Sequence, residues 1–276
     1  GKKMFKKKLL ALVLACTTVF SMVGCSSNEA KKEEAKEPET KKVLRVGVTA
    51  TYNPWCYKDG EEIVGVDVDI LKEVAKRMGD YEIQFEVASF DGMFGLLDAG
   101  KVDTVAQQIS VTPAREEKYK FSEIYAYNPY KLSVRADDDS INSVEDLKGK
   151  RFACQPAGFE KEFIEKYKEK NDPNDEIEVV ITEEPRGLVV SQNKADAHSY
   201  PVLSFDRMIE EGGLNLKQVG ENLYEENNAY PFLKDCDEEL YNKFNEALKS
   251  MKEDGFLTNL YNEYFGMDIS ESVMNK

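Results

Sequence analysis

The sequence has few of the residues on which many catalytic and metal sites depend. His198 is the single histidine among 276 residues, which excludes metal sites built from several histidines. A Ser-His or Cys-His catalytic centre would have to use this one residue. Cys56, Cys154 and Cys236 stand at spacings that match no metal-binding pattern, and these spacings leave open whether two of them form a disulfide. We therefore expect neither a metal nor a cofactor.

Net positive charge is also lacking, because the formal net charge is −15 at pH 7. A surface this acidic repels nucleic acid and anionic lipid head groups. We therefore expect neither of them as a partner.

Long apolar runs are missing as well. The run from Leu9 to Phe20 follows a lysine-rich start and is too short to span a membrane. It leads into Ser-Met-Val-Gly-Cys at 21–25, which resembles the lipobox of bacterial lipoproteins, where the cysteine is lipidated. We predict a lipoprotein signal peptide over residues 1–24 and a lipid anchor on Cys25 as the only membrane contact, which implies an extracytoplasmic location at the cell membrane. The alternative is a plain signal peptide with a chance cysteine.

Residues 26–42 contain almost no apolar side chain except alanine. Such a segment buries too little surface to offset the entropy lost on ordering, so residues 25–42 are predicted to be the anchor and a disordered tether. The rest, residues 43–276, is long enough for one large or two medium domains.

The two halves of this remaining segment resemble each other weakly. YEIQFEVAS precedes FGLLDAGKVDTVAQQ in the first half, and DEIEVVITE precedes GLVVSQNKADAHSYP in the second. Each copy has the pattern of a strand, a helix, a turn and a second strand, which predicts parallel βαβ units and hence two α/β lobes. Asp103 and Asp196 take equivalent places in the copies, where turn capping explains them better than ligand binding. Apolar residues at helical spacing also predict a helix over residues 66–78 that ends at Gly79.

Open parallel sheets bind ligands beyond the carboxyl ends of their strands. In two lobes these ends face each other across a cleft. The loops that would line the cleft are Thr49 to Trp55, Gln107 to Arg115, Gln155 to Phe159 and His198 to Pro201.

The second of these loops suits a carboxylate ligand. Thr112 and Pro113 are typical of an N-cap followed by proline at the first helical position. The residues from Ser110 to Arg115 would then carry free backbone N–H groups, and the Arg115 guanidinium can hold two oxygens at once. The alternative is that Arg115 pairs with a neighbouring glutamate on a solvated helix face.

Four stretches carry a resemblance to a known family. They are LRVGVTATYNPWCYKDGEEIVGVDVDILKEVAKRMG, LLDAGKVDTVAQQISVTPAREEKYKFSEIY, EDLKGKRF and KSMKEDGFLTNLYNEYFG. In this order they make residues 43–267 resemble the family-3 extracellular solute-binding proteins that serve ABC importers of polar amino acids. The resemblance implies no catalysis and a two-lobed α/β fold of the type II periplasmic-binding-protein kind. Each lobe would be a mixed, mostly parallel sheet flanked by helices, and two hinge strands would join lobe 1 (residues 43–126 and 228–276) to lobe 2 (residues 127–227).

The resemblance also implies roles for residues of the first lobe. Ser110 and Arg115 match the positions that bind the α-carboxylate of the ligand, and Tyr52 matches the aromatic residue that stacks on the ligand side chain. Thr49 lies where a polar side-chain contact is common. Trp55 matches an aromatic residue that is either a wall of the site or, as we favour, part of the core.

The ligand itself is suggested by two neighbouring amides. Gln108 matches the glutamine of an Asn-Gln pair in cystine-binding members of the family, and Gln107 replaces the asparagine of that pair. Amides at a strand end can donate to and accept from a ligand without adding charge.

The second lobe departs from the family pattern. Gly158 and Phe159 belong to an Ala-Gly-Phe sequence that replaces Gly-Thr-Thr, so that only backbone N–H groups remain there to hold a carboxylate. Pro201 replaces the aspartate expected to bind the ligand's ammonium group, and an unpaired ammonium in a closed cleft would be costly. His198 and Tyr200 are candidates for an altered pocket, although a single histidine is more often structural.

These observations predict a monomeric, lipid-anchored substrate-binding protein of an ABC importer. It would capture a polar amino acid, with L-cystine as the first candidate, by hinge closure and deliver it to a permease and ATPase complex. Pro201 leaves another polar amino acid, or a carboxylate without an amino group, as the alternative. A dehydratase-like enzyme on the same scaffold and a sensing or adhesion lipoprotein without a transporter are further alternatives.

Overall fold

The structure, a computed structural model, describes residues 41–156 and 158–274. The predicted signal peptide, the lipidation site Cys25 and nearly all of the predicted tether lie outside these residues. Within them, strands and helices alternate along most of the chain, as the internal repeat predicts.

The strands are β1 (Lys42–Val48), β2 (Thr51–Tyr52), β3 (Cys56–Asp59), β4 (Glu62–Val64), β5 (Tyr81–Val87), β6 (Thr104–Val105), β7 (Tyr119–Phe121), β8 (Ala126–Arg135), β9 (Arg151–Cys154), β10 (Glu178–Ile181), β11 (Ala197–Pro201), β12 (Leu216–Asn228) and β13 (Pro231–Leu233). The helices are α1 (Val66–Met78), α2 (Phe90–Asp98), α3 (Pro113–Lys118), α4 (Phe159–Asn171), α5 (Arg186–Ser191), α6 (Phe205–Gly212), α7 (Glu238–Glu253) and α8 (Phe256–Phe265). Two short 3-10 helices, Val144–Leu147 and Val202–Ser204, complete the elements of the described residues.

Local sequence signals account for the helix ends. Helix α1 has the predicted bounds, and the chain leaves it at Gly79 with φ 84, a left-handed value that glycine adopts without strain. Helix α3 begins as predicted, because Thr112 caps it by accepting from the backbone N–H of Arg115 at 3.3 Å.

Two mixed or parallel sheets organise the fold. The first has the order β5-β1-β6, with all strands parallel. The second has the order β10-β9-β11-β8-β12, in which β10, β9 and β11 are parallel and β8 runs antiparallel to both of its neighbours. Two smaller antiparallel sheets, β13-β7 and β2-β3-β4, accompany them.

Each large sheet has its own hydrophobic core on both faces. Helices α1, α7 and α8 pack on one face of the first sheet, and α2 packs on the other. The second sheet is covered on one face by α4 and on the other by α5 and α6. The predicted two-lobed α/β fold is therefore confirmed, while the residue boundaries of the lobes stay a prediction.

The internal repeat appears in the structure as the same arginine–aspartate contact in each half. The backbone N–H of Arg45 donates to Asp103 at 2.8 Å, and that of Arg151 donates to Asp196 at 2.9 Å. In each pair the guanidinium also donates to both carboxylate oxygens. Each aspartate therefore contacts the first strand of its half, β1 or β9, from a position just before the strand that follows the helix. Its role thus extends beyond the turn capping that the sequence predicts.

Candidate functional site

Strands β8 and β12 present a set of polar side chains on one face. Their antiparallel register pairs Glu226 with Asn128 and Tyr224 with Tyr130. Because side chains alternate between the faces of a strand, these four lie on the same side. The rings of Tyr130 and Tyr224 stack with their centroids 4.6 Å apart. The two strands thus offer a carboxylate, an amide and two phenols to one region.

A cavity of about 280 Å³ lies against this face. It brings together four of the predicted site residues and Pro201. Its volume is near the lower end of the range for small-molecule sites, roughly 300–1,000 Å³. The lining residues are Tyr52, Phe90, Gln107, Gln108, Ile109, Ser110, Arg115, Asn128, Tyr130, Pro201 and Glu226.

Arg115 supplies the positive charge of the small cavity. Its guanidinium donates to the carbonyl oxygen of Ser110 at 2.8 Å and lies over the ring of Phe94 at 5.4 Å. It makes no ion pair within the described residues, so the predicted alternative of pairing with a neighbouring glutamate is not observed there. Burial lowers the pKa of Arg115 from its ordinary value, and the charge of Glu226 opposes this. A half-buried cation that forms no ion pair in this part of the chain favours an anionic ligand.

Gln108 has an unusual backbone and a free donor. Its φ is 52°, in the left-handed region that residues other than glycine seldom adopt. Its side-chain oxygen accepts from the hydroxyl of Tyr52 at 3.0 Å. Its Nε2 is buried and has no partner. A buried donor without a partner costs stability. A ligand that supplies an acceptor to this donor would therefore bind favourably.

Asp67 fixes the conformation of Gln108 and was missed by the sequence analysis. The carboxylate is fully buried and accepts from the Gln108 backbone N–H at 2.7 Å, from the hydroxyl of Tyr125 at 2.6 Å and from that of Tyr230 at 2.9 Å. Burial raises the pKa of Asp67 to about 6, although these hydrogen bonds favour the ionised form. A signal was present in the sequence, since Asp67 falls at helical spacing with the buried residues Ile70 and Leu71 of α1.

Glu226 is the second functional candidate that the sequence analysis missed. It accepts from the Ser110 hydroxyl at 2.9 Å and from the Tyr130 hydroxyl at 2.6 Å. Burial raises the pKa of the Glu226 carboxyl, while the two hydrogen bonds lower it. No signal in the sequence separates it from the adjacent Glu225, because which of the two faces the cavity depends on the strand register.

A larger cavity of about 770 Å³ shares Tyr52 with the small one. Residues 51–53 line one side of it, and residues of α5, β11 and α6 line the other, among them Tyr200. Arg207 of α6 crosses it to the loop after β2. Its guanidinium donates to the side-chain oxygen of Asn53 at 2.9 Å and also to the Asn53 carbonyl oxygen.

Two predicted contacts of the first lobe lie behind the cavity wall. Trp55 is 2% exposed and packs against Tyr125 and Phe265, so it belongs to the core, as we favoured. The Thr49 hydroxyl donates to the side-chain oxygen of Gln107. Thr49 therefore positions a cavity residue and does not itself line either cavity.

Three predicted residues of the second lobe lie away from both cavities. His198 is fully buried, and burial lowers its pKa to about 3, so it is a neutral core residue. Gly158 and Phe159 begin α4 and line surface depressions that contain none of the other predicted site residues. Helix α4 starts directly at Phe159, and the carboxylate of Glu160 in its first turn is buried and pairs with Arg186 at 2.6 Å.

Several other kinds of site receive no support from the described part of the chain. It contains no group of three or more His, Cys, Asp or Glu residues that could hold a metal ion. Cys56, Cys154 and Cys236 are unpaired. Among the helices of residues 41–156 and 158–274, none is long and apolar enough to cross a membrane.

Comparison with known proteins gives consistent results. The family model of the bacterial extracellular solute-binding proteins, family 3, matches residues 44–267. The probable amino-acid-binding protein YxeM of Bacillus subtilis (strain 168) is 32% identical over 268 residues, covering 96% of this chain and 97% of that protein. Two further proteins of that strain are the arginine-binding extracellular protein ArtP, 31% identical over 94% of this chain and 98% of its own, and the L-cystine-binding protein TcyA, 29% identical over 96% of this chain and 100% of its own.

A solved structure extends the similarity to three dimensions. The crystal structure of the probable amino-acid ABC transporter extracellular-binding protein ytmK from Bacillus subtilis superposes with a TM-score of 0.72 at 26% sequence identity. The match covers 83% of this chain and 99% of that one.

Proposed function

Because the chain belongs to the bacterial extracellular solute-binding proteins of family 3, we propose that it captures a polar L-α-amino acid in the cleft for an ABC importer. L-cystine is the first candidate. The known proteins most relevant to this proposal are named as amino-acid, arginine or L-cystine binders.

The observation that carries the proposal is the unpaired guanidinium of Arg115 in the small cavity. A carboxylate placed there would receive two N–H groups from Arg115. The Gln108 Nε2 donor, buried and without a partner, would add a neutral hydrogen bond. Ser110 lies beside both, and its hydroxyl can turn from Glu226 to the ligand. Because α3 has only six residues, the guanidinium rather than the helix dipole supplies the charge.

The larger cavity supports a ligand with an extended polar side chain. Tyr52 lines both cavities, so a ligand held by its carboxylate at Arg115 would extend its side chain past this ring to enter the larger one. Arg186 and Arg207 line the larger cavity, where Arg186 pairs with Glu160 at 2.6 Å and Arg207 donates to Asn53. A distal polar group of the ligand would therefore meet their remaining N–H donors rather than an unpaired charge. L-cystine meets this description, since it carries a second carboxylate far from the first. Another polar amino acid, or a carboxylate without an amino group, is the alternative.

Capture would proceed by hinge closure. The ligand would first bind the surface of lobe 1, taken as residues 43–126 and 228–276, and lobe 2, residues 127–227, would then close over it. β8 and β12 would bend as the hinge, and the contact of Arg207 with Asn53 would hold the closed form. The closed, monomeric protein, anchored through lipidated Cys25, would deliver the ligand to the permease and ATPase complex.

Binding without catalysis fits the position of His198. A dehydratase-like enzyme would need a general acid or base beside its substrate, and the sole histidine is buried away from both cavities. The carboxylic acids that line the cavities within the described residues are Glu226 in the small one, where it accepts from Ser110 and Tyr130, and Glu211 in the larger one.

Calorimetric titration of the full chain in detergent against L-cystine and the other polar L-amino acids tests this function. We expect saturable one-to-one binding to at least one of them, and mass spectrometry should recover that amino acid unchanged. Absence of binding to every L-amino acid would contradict the proposal, and a chemically altered ligand would favour the enzyme.

A further inference from the structure

The small cavity carries two opposite charges that do not neutralise each other. Arg115 and Glu226 both line it, yet they form no ion pair with each other. Ser110 lies between them, because its carbonyl oxygen accepts from Arg115 at 2.8 Å and its hydroxyl donates to Glu226 at 2.9 Å. Two separated charges of opposite sign, held apart by one residue, match the charges of an α-amino acid zwitterion.

We propose that the Glu226 carboxylate binds the ammonium group of the ligand. This inference rests on the proposed function and specifies it, since it requires a ligand with a free amino group. Pro201 lines the same cavity but offers neither a charge nor a donor or acceptor on its side chain.

The hydrogen bonds of Glu226 leave room for such a ligand. Ser110 donates to Oε2 and Tyr130 donates to Oε1, so each carboxylate oxygen has one donor. A carboxylate oxygen accepts about two hydrogen bonds, which leaves about one acceptor position on each. An ammonium group has three N–H donors and can fill these positions.

Asn128 provides a second, independent indication. It is 3% exposed, it lines the small cavity, and its side-chain oxygen is buried without a partner. The strand register places it directly opposite Glu226. A buried acceptor without a donor is unfavourable, so the Asn128 oxygen needs an N–H donor, and Glu226 has acceptor positions left for the same donor group. One ammonium group between them would satisfy the amide and the carboxylate together.

Glu225 provides a matched control on the same strand. As the next residue of β12, it faces the opposite side, where its carboxylate accepts from the backbone N–H of Val273 at 3.1 Å. It does not line the small cavity. Glu225→Gln and Glu226→Gln therefore remove the same charge from neighbouring positions, and only the second removes it from the cavity.

The test compares ligands with and without a free amine. L-cystine, L-arginine and L-glutamine are titrated calorimetrically against the full chain in detergent, each beside its Nα-acetyl derivative (acetylated on both amines for cystine). Wild-type protein should bind a free amino acid at least about 30-fold more tightly than its acetyl derivative, the usual effect of losing one partner of a buried charge pair. Glu226→Gln should lose about 30-fold or more in affinity for the free amine and bring the two forms close together. Glu225→Gln should behave as wild type.

The other outcomes overturn the inference in distinguishable ways. Equal binding of free and acetylated forms by the wild type would contradict it without any variant, so the test does not depend on the folding of Glu226→Gln. Unchanged affinity of Glu226→Gln for the free amine would also contradict it, while leaving the proposed amino-acid binding intact. Binding of acetylated forms alone would retain the carboxylate site and exclude the ammonium site. No binding of either form would remove the proposed function and this inference together.

Discussion

The buried carboxylate of Asp67 accepts the backbone N–H of Gln108 at 2.7 Å, which links the core helix α1 to the wall of the small cavity. Gln108 is held at φ 52 by this bond and by the Asn228 amide, which donates to its carbonyl oxygen at 3.2 Å. Strained backbone conformations persist where the surroundings fix them, and they cluster at binding sites. The buried residue Asp67 therefore determines where the free Gln108 amide lies.

Asp67 should make stability depend on pH in an unusual direction. Its pKa is about 6 in the folded protein, above the ordinary value of 3.8, so the folded state binds the proton more tightly. The stability contributed by protonated Asp67 is fully present below about pH 4 and is lost as pH rises through about 6. The difference in free energy of unfolding between wild type and Asp67→Asn should fall over this range by up to about 1.4 kcal/mol per pH unit. Urea unfolding from pH 4 to 7 measures this slope, and a flat or rising difference would contradict it.

Asp196 should behave in the opposite way. Burial alone would raise its pKa, but hydrogen bonds from Arg151 and Arg135 outweigh burial and lower the pKa to about 2. Its contribution is therefore present above about pH 4 and is lost as pH falls through about 2. Asp196→Asn should lower the free energy of unfolding at pH 7 by about 2 kcal/mol, with the deficit shrinking below pH 4. Ligand affinity should not change, and an affinity loss above tenfold would show that Asp196 affects the site.

Arg207 should stabilise the closed form. Removing its hydrogen bonds to Asn53 with Arg207→Ala should speed ligand release by about 2- to 10-fold, as expected for the loss of exposed hydrogen bonds. Stopped-flow fluorescence measures release, and small-angle scattering measures whether ligand still reduces the radius of gyration. Lys217→Ala, which removes an ion pair with Asp139 elsewhere, should leave release unchanged. Equal release rates in both variants would contradict a closing role for Arg207.

The sequence predicts those parts of the fold and site that depend on local signals or on the family pattern. Helix α1 follows from apolar spacing and Gly79, and the start of α3 follows from Thr112. Ser110 and Arg115, which the family resemblance predicts to bind a carboxylate, line the same cavity, and their binding role stays a prediction.

The unpredicted parts depend on long-range register. Glu226 and Asn128 meet only because β12 pairs with β8 in one register, which includes an irregularity between Val219 and Tyr224. A one-residue shift in the register of β12 would turn Glu225 to the cavity instead, and no local signal in the sequence fixes this register. Burial of His198 likewise depends on packing between distant elements, because β11 pairs with both β8 and β9.

The most direct test of the proposed carboxylate site is a calorimetric measurement of how tightly Arg115→Ala binds L-cystine. If the wild type binds another L-amino acid more tightly, that amino acid is used instead. Loss of a half-buried charge partner should weaken binding by at least about 30-fold. Lys118→Ala is the matched control, because Lys118 lies on the same helix but is exposed and pairs with Asp98 at 2.6 Å. We expect a large loss of affinity in Arg115→Ala and none in Lys118→Ala, with both variants melting near the wild type. Wild-type affinity in a folded Arg115→Ala variant would contradict the proposed carboxylate site.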